Sequence, residues 1–364
     1  MNPGQASISP PHSNSARRRS LGDAALLWAA RGSGVLILLM LAALLFVLVR
    51  ASVPAMQTFG VGFLVTTEWR PNEREVPARG PDGRVIIEDG ETVMRTLPAE
   101  FGAGPVIWGT MMTSLIALVV AVPLALGAAL FIVRVAPKLR IAAPLSFLIE
   151  FLASIPSIAY GMWGLFVLAP FLQSVVEPAI ARALGDVPGF GWMFTQTVVL
   201  ADGPTRRPLP LTGRDALCGG LILAIMILPI ITAISRDVLK NVPKGQIEGT
   251  LALGATWWQS CWGMLKYSRS GLFGAVMLGL ARAAGETMAV AMVIGNNNQI
   301  EFSPFAPAQT MASLLANEFR EASGGLYQSS LLYVALILLV MSLAFNVVAR
   351  WLVVGKGART AAAH

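Results

Sequence analysis

Arg282 and Glu286 are two charged residues in an otherwise apolar stretch of the chain. A guanidinium group stays charged and presents a planar fork of donors that suits the oxygens of an oxyanion. Residues four apart share one face of a helix, so Glu286 is expected to hold Arg282 while no anion is present. Charges inside a membrane span are costly and usually line a pathway. The pair predicts a path for an anion, and a purely structural ion pair is the alternative.

The helix that would carry this pair also has a stripe of small residues. They recur at every fourth position, at Gly271, Ala275, Gly279 and Ala283. Small side chains at this spacing let membrane helices approach closely. We expect the stripe and the charged pair to share one face, which would direct the pair toward protein or a water-filled path rather than lipid.

The composition is that of an integral membrane protein. Hydrophobic residues make up 55% of the chain and charged residues 13%, and the mean hydropathy is +0.65. Neither cysteine, Cys218 or Cys261, indicates a disulfide framework, and His12 and His364 lie in the tails, so no metal site is expected. The chain has no phosphate-binding loop for ATP, since its nearest fragment is Gly355-Lys356-Gly357. We expect no cofactor in this chain and no nucleic-acid partner.

Six apolar windows are long enough to cross a bilayer. They predict an all-α integral membrane fold with six transmembrane helices, near residues 33–50, 108–133, 144–172, 216–235, 271–295 and 331–354. Pro156 and Tyr160-Gly161 should kink the third. The corresponding domains are a disordered N-terminal tail (1–32), the first transmembrane helix (33–50), a loop insertion (51–107), a five-helix core (108–354) and a C-terminal tail (355–364).

The lysines and arginines between these windows predict the orientation. With the N-terminus inside, the inner segments hold fifteen of them and the much longer outer segments hold ten. Because positive residues accumulate on the cytoplasmic side, both termini are predicted to be cytoplasmic. Residues 51–107 and 173–215 then form outer loops, the first with a hairpin around Arg79-Gly-Pro-Asp-Gly-Arg84, and residues 236–270 form an inner loop.

The inner loop contains a candidate docking helix. Glu248 opens a segment that suits a short amphipathic helix ending in a turn at Gly254. Such a helix could engage a partner protein. It could equally rest on lipid headgroups, which Trp257, Trp258 and Trp262 would favour.

Three segments carry a resemblance to a known family. Glu248-x5-Gly254 resembles the EAA loop of ABC importer permeases, which docks a coupling helix into an ATPase subunit. Gly285 to Asn296 and Ile155 to Pro170 are similar to the C-type permease of the phosphate-specific (Pst) importer, and the similarity spans roughly residues 105 to 350. The resemblance implies the type I ABC importer permease (MetI-like) fold, with Glu248 and Gly254 in coupling and Arg282 and Glu286 in phosphate passage.

The same resemblance implies a set of partners. They are a dimer of ABC ATPases that binds ATP and Mg, a homologous second permease of the A type, a periplasmic phosphate-binding protein, phosphate itself and membrane lipid. The chain would be a transport subunit of the bacterial inner membrane and not an enzyme. Two alternatives stay open: a permease for another oxyanion, and a membrane scaffold or sensor that reports phosphate supply.

The coupling loop departs from the family pattern. Gly249 and Thr250 stand where small residues, usually alanines, follow the glutamate, and the later apolar-x-Leu-Pro ending falls at Met264, Lys266 and Tyr267. Glycine lowers helix propensity by about 1 kcal/mol relative to alanine, and the missing proline removes a helix stop. Weaker or differently shaped docking is expected.

Glu150 and Asn296 are possible secondary sites. Glu150 lies near the end of the third window, where extending to the interface or capping a neighbouring helix is its more ordinary role. Asn296 begins a run of three asparagines after the charged helix. The run would receive substrate from a binding protein or simply form a polar turn.

Overall fold

The computed structural model describes residues 21–71, 74–77, 87–88, 91–92, 94–97, 99–185, 187–188, 190–200, 203–322 and 324–361. Internal contacts divide the chain into two units, Met1–Arg50 and Ala51–His364. The buried hydrophobic clusters lie in the second unit.

Helices dominate the described chain. They are α1 (Leu21–Phe59), α2 (Gly104–Arg134), α3 (Ala142–Ala153), α4 (Ser157–Trp163), α5 (Ala169–Phe171), α6 (Glu177–Leu184), α7 (Ala216–Lys240), α8 (Lys244–Ala252), α9 (Trp257–Tyr267), α10 (Arg269–Ala284), α11 (Met288–Val293), α12 (Met311–Glu318) and α13 (Gly325–Ala361). Two π-helical segments, Gly164–Leu168 and Leu172–Val176, join α4, α5 and α6. Short 3-10 helices cover Gly60–Leu64 and Gly191–Phe194.

Five helical segments of the described chain are long and apolar enough to cross a membrane. They are Ala25–Leu64, Gly104–Arg134, Ser157–Leu184, Ala216–Lys240 and Gly325–Val347. The all-helical membrane fold is confirmed, whereas the predicted count of six spans is not reproduced exactly, since five segments of the described chain qualify. The predicted window 271–295 is divided into α10, of 16 residues, and α11, of 6 residues. Each is too short to span the hydrocarbon alone.

The helix ends differ from the predicted boundaries at both termini. α1 begins at Leu21, inside the predicted tail 1–32, and continues beyond the predicted end of the first span at residue 50. Residues 1–20 lie outside the described chain. α13 continues to Ala361, into the predicted tail 355–364. Hydropathy locates the apolar centre of a span, but polar residues can extend the same helix beyond it.

The third window is broken at Pro156, as predicted. α3 ends at Ala153 and α4 begins at Ser157. Proline has no N–H to continue the helical hydrogen bonds, and the Tyr160 hydroxyl bridges the break by donating to the Leu152 carbonyl at 2.9 Å. The Leu152 carbonyl therefore keeps a hydrogen-bond donor at the break in the helix.

In the part of the chain that the structure describes, strands occur only in the two loops that were predicted to lie on the outer side. β1 (Arg74–Pro77) pairs with β4 (Met94–Leu97), β2 (Ile87–Glu88) pairs with β3 (Glu91–Thr92), and β5 (Thr195–Leu200) pairs with β6 (Gly203–Pro208). All three pairs are antiparallel. The predicted turn at residues 79–84 lies outside the described residues.

The core is organised around α7, which packs along α2 and also contacts α10. Ala117, Ala121 and Ala125 on α2 are fully buried. On α7, a Cβ added at Gly220 would come within 2.5 Å of the Ile116 side chain. Small residues at these positions let the backbones approach closely, as in other membrane helix pairs. α7 is thus the helix against which both α2 and α10 pack.

Candidate functional site

Arg282 lies in the last turn of α10 and Glu286 lies just beyond the end of that helix. The side chain of Arg282 is exposed and that of Glu286 is half-buried. α10 ends at Ala284, and Gly285, Glu286 and Thr287 form a non-helical link to α11. Glycine is a poor helix former, and α11 is held elsewhere, since a Cβ on Gly161 of α4 would lie 2.9 Å from the Ala289 Cα. Packing of α11 against α4 thus accompanies the break.

The small-residue stripe of α10 packs against α7. A Cβ at Gly279 would meet Ile231 at 2.7 Å, and one at Gly271 would meet Val238 at 2.7 Å. Ala275 and Ala283 are buried. The predicted close approach of helices is therefore confirmed.

The prediction that the charges share the packed face is wrong for Arg282, which is exposed beside the buried Ala283. Adjacent residues of a helix are about 100° apart. Arg282 is therefore turned away from Ala283, which belongs to the packed stripe, and its side chain lies outside the contact with α7.

No ion pair joins Arg282 to Glu286 in the part of the chain that the structure describes. The shared helical face expected from their spacing ends with α10 at Ala284. An exposed guanidinium can take up an oxyanion without first breaking an internal ion pair. The roles of both residues in substrate passage stay predictions.

Asn296 follows α11 in a left-handed conformation, with φ of 53°, next to Gly295 with φ of 90°. Its side-chain Nδ2 donates to the Ala291 carbonyl at 2.9 Å. Asparagine tolerates this conformation better than most residues. These contacts fit the polar-turn interpretation, and a role in receiving substrate stays a prediction.

Glu150 on α3 binds α7 through an ion pair. Its Oε1 accepts a hydrogen bond from Arg236 Nη1 at 3.1 Å, and Arg236 Nε donates to Asp237 Oδ1 at 2.9 Å. Glu150 and Arg236 line a cavity of about 660 Å³ whose lining also includes Lys240. The sequence did not identify this partner, which is 86 residues away. In this structure Glu150 braces two helices.

Glu248 and Gly254 lie on and just after α8. The helix begins at Lys244, four residues before Glu248, and Gly254 adopts φ of 84° in the turn that ends it. The Ala255 N–H donates to the Thr250 carbonyl at 3.2 Å across this turn. The predicted helix and glycine turn are confirmed. The predicted amphipathic face is not, since α8 buries none of its residues and has no distinct apolar side.

The exposure of α8 leaves room for a partner. Leu253 is 90% exposed and Leu251 is 43% exposed. This chain leaves almost all of Leu253 and a large part of Leu251 uncovered, so the remaining apolar area can be buried only against another molecule.

α9 follows α8 after a capping box formed by Thr256 and Gln259. It ends at Tyr267, where the family pattern has proline, and Ser268 separates it from α10. The Ser268 N–H donates to the Met264 carbonyl, and the Ser268 carbonyl accepts from the Leu272 N–H, both at 3.0 Å. The helices thus separate at Ser268 without the proline stop.

Two buried acids escaped the sequence analysis. Glu177 at the start of α6 and Asp215 before α7 are both fully buried. Asp215 Oδ1 caps α7 by accepting from the Cys218 N–H at 2.8 Å, while Asp215 Oδ2 and both Glu177 carboxyl oxygens have no hydrogen-bond partner. Burial, and to a lesser degree the neighbouring Glu177, raises the pKa of the Asp215 carboxyl to about 8. Asp215 therefore keeps its proton at neutral pH.

An aspartate directly before an apolar run is a signal for a helix N-cap, so the position of Asp215 was readable from the sequence. Its position beside Glu177 was not, because 38 residues separate them in the chain. Within the described residues, no group of three or more histidine, cysteine, aspartate or glutamate side chains is arranged to hold a metal ion.

Comparison with known proteins identifies the family. Residues 121–354 match the family described as binding-protein-dependent transport system inner membrane component. The phosphate transport system permease protein PstC of Mesorhizobium japonicum is 39% identical over 95% of this chain and 94% of its own length. The proteins of the same name from Haemophilus influenzae and Pasteurella multocida are 38% and 37% identical, each over 88% of this chain, and cover 89% and 88% of their own lengths.

Among solved structures, a chain of the inward-facing MetNI methionine ABC transporter aligns with a TM-score of 0.47 and 16% identity, over 69% of this chain and 94% of that chain. This likeness is too weak to carry a conclusion.

The relatives are permease subunits, so this chain is a multi-pass membrane transport subunit rather than an enzyme, and ATP hydrolysis belongs to separate subunits. The sequence matches lead to one assignment: the chain belongs to the binding-protein-dependent transport system inner membrane component family, and within it to the PstC permeases.

Proposed function

We propose that this chain is the permease subunit of an ATP-driven importer that carries inorganic phosphate across the bacterial inner membrane. The assignment of phosphate as the substrate rests on the name of the relatives. Those that are 37–39% identical over 88–95% of the chain share the name phosphate transport system permease protein. It favours phosphate over the two alternatives, another oxyanion and a scaffold or sensor.

Arg282 is the proposed binding residue on the path. Its guanidinium is exposed and free of an ion pair in the described chain. It can therefore offer parallel N–H donors to two oxygens of one phosphate ion. Glu286, which follows the helix break by one residue, repels the dianion once it has bound and favours its release. Binding by one arginine is weak, and a translocation site needs weak binding because it must release what it accepts.

Coupling to ATP hydrolysis is proposed to occur at α8. The part of this helix from Glu248 onward, with the turn at Gly254, would dock on an ATPase subunit and bury Leu251 and Leu253. No cofactor is assigned to the chain itself, because ATP and Mg would be bound by the ATPase dimer. Movement of α8 would reach α10 through α9 and the joint at Ser268.

The remaining partners follow from the same assignment. A homologous second permease of the A type would complete the path beside α10, and a periplasmic phosphate-binding protein would deliver substrate on the side of Asn296. Both chain termini would be cytoplasmic, in keeping with the distribution of lysine and arginine. Membrane lipid would surround the apolar surface of α1, which is exposed along most of its length.

Uptake into proteoliposomes tests the substrate. The assembled transporter, with ATP enclosed and its binding protein added outside, should accumulate radiolabelled phosphate, and a hundredfold excess of sulfate should not reduce the rate. Competition by sulfate, or sulfate uptake at a comparable rate, would assign the permease to another oxyanion. A complex that assembles but accumulates neither ion would favour the scaffold or sensor.

A further inference from the structure

A second cavity, of about 630 Å³, lies between α2, α9 and α10. One part of its lining is entirely apolar, formed by Leu126, Leu265, Leu272, Phe273 and Val276. Such a wall matches a hydrocarbon chain and offers nothing to a small hydrated ion.

The other part of the lining is cationic. Lys266, near the end of α9, and Arg269, the first residue of α10, both border the cavity and are exposed. Neither has an ion-pair partner in the described chain, and no carboxylate lines the cavity. The cavity beside α3 differs, because there Glu150 already neutralises Arg236. Of these two cavities, the one beside α9 combines an apolar wall with two cations that have no ion-pair partner in the described chain.

Trp262 gives the depth of this cavity relative to the membrane. It lines the cavity on α9 and is 66% exposed. Tryptophan is enriched at the level of the lipid headgroups, and long basic side chains extend to the same level. The two cations therefore lie where headgroup phosphates are found, with the apolar wall directed along the acyl chains.

We propose that the cavity between α2, α9 and α10 is a binding site for an anionic phospholipid, with its phosphate held by Lys266 and Arg269 and an acyl chain lying along the apolar wall. Basic pockets between membrane helices bind lipid headgroups in this manner. Because Lys266 and Arg269 flank Ser268, the bound lipid holds the joint between α9 and α10. It thereby stabilises the connection between the exposed α8 and the helix that carries Arg282.

Native mass spectrometry of the assembled transporter tests the proposal. The complex is purified in detergent and mixed with dioleoylphosphatidylglycerol, dioleoylphosphatidylcholine or the short-chain dihexanoylphosphatidylglycerol. We expect preferential retention of the long-chain anionic lipid. The double variant Lys266→Gln/Arg269→Gln should weaken its binding about 30-fold, the equivalent of about 1 kcal/mol for each cation. The double variant Lys240→Gln/Lys244→Gln removes the same charge at the end of α7 and the start of α8 and should retain the lipid.

Three outcomes would overturn the proposal. They are equal binding to the Lys266/Arg269 variant and the wild type, equal loss in the control variant, and displacement of the lipid by millimolar inorganic phosphate, which would identify a site for the free ion. If the double glutamine variant fails to assemble, the charge-preserving variant Lys266→Arg/Arg269→Lys should bind the lipid as the wild type does, and Arg269→Gln alone should lose about fivefold.

Discussion

Arg236 and Arg282 are arginines on neighbouring apolar helices, and their surroundings differ. Arg236 on α7 is 9% exposed and contacts the carboxylates of Glu150 and Asp237. Arg282 on α10 is exposed and has no ion pair in the described residues. A cation that the chain neutralises itself acts as a brace between helices. One that the chain leaves unpaired is available to an anion from outside.

The comparison assumes that α10 is held firmly on α7, and Gly279 tests this. Gly279→Leu would drive a side chain into Ile231, which an added Cβ alone would approach to 2.7 Å. We expect the free energy of unfolding to fall by about 1 to 3 kcal/mol or more, because overpacking forces the helices apart. The measurement is the fraction of complex that survives heating, followed by size-exclusion chromatography.

Gly274→Leu is the matched control on the same helix, since nothing lies within 4 Å of a Cβ placed there. Equal survival of the two variants would show that α10 does not depend on close contact with α7, and the position of Arg282 would lose its structural basis.

Asp215 extends the comparison to an ionisable group that is both buried and short of hydrogen-bond partners. Its pKa is raised from the ordinary value of 3.8 to about 8. Below about pH 4 the carboxyl is protonated in both the folded and the unfolded states, so its titration does not change the stability. Between about pH 4 and pH 8 only the unfolded state releases the proton, so the wild type loses stability as the pH rises.

Asp215→Asn should therefore be more stable than the wild type at pH 8, by an amount on the order of a few kcal/mol, with the gain shrinking toward pH 5. The asparagine oxygen can still accept from the Cys218 N–H. Melting temperatures across this range measure the effect. A destabilised Asp215→Asn at pH 8 would mean that the ionised carboxylate is needed there.

Of these substitutions, the one at Arg236 should change the stability least. Arg236→Gln is expected to lower stability by about 1 kcal/mol or less, because the Glu150 and Asp237 side chains it leaves behind are each 60% exposed and regain water. A double-mutant cycle with Glu150→Gln measures the coupling directly, with Lys240→Gln as a control on the same helix. A coupling well above 1 kcal/mol would make this ion pair a main support of the fold.

Local sequence chemistry predicted the parts of the structure that depend on one residue type at one position. Pro156 breaks a helix, Gly254 ends another in a left-handed turn, and the stripe from Gly271 to Ala283 packs closely on a neighbour. In each case the residue restricts or permits the backbone by its own structure.

Features set by distant contacts could not be predicted in this way. The window 271–295 is continuously apolar enough to suggest one span, yet α11 packs on α4 and the helix breaks at Gly285. The ion pair of Glu150 with Arg236 and the proximity of Glu177 to Asp215 bring together residues that are far apart in the chain. Hydropathy and spacing carry no information on which helices meet.

The most direct test of the account compares Arg282→Gln with Arg236→Gln in ATP-dependent phosphate uptake by reconstituted complexes, at equal amounts of assembled protein. We predict that Arg282→Gln lowers the uptake rate about tenfold or more, as expected for the loss of one charged, hydrogen-bonded contact, while Arg236→Gln keeps most of it. Undiminished uptake by Arg282→Gln would contradict the assignment of the unpaired arginine to the phosphate path.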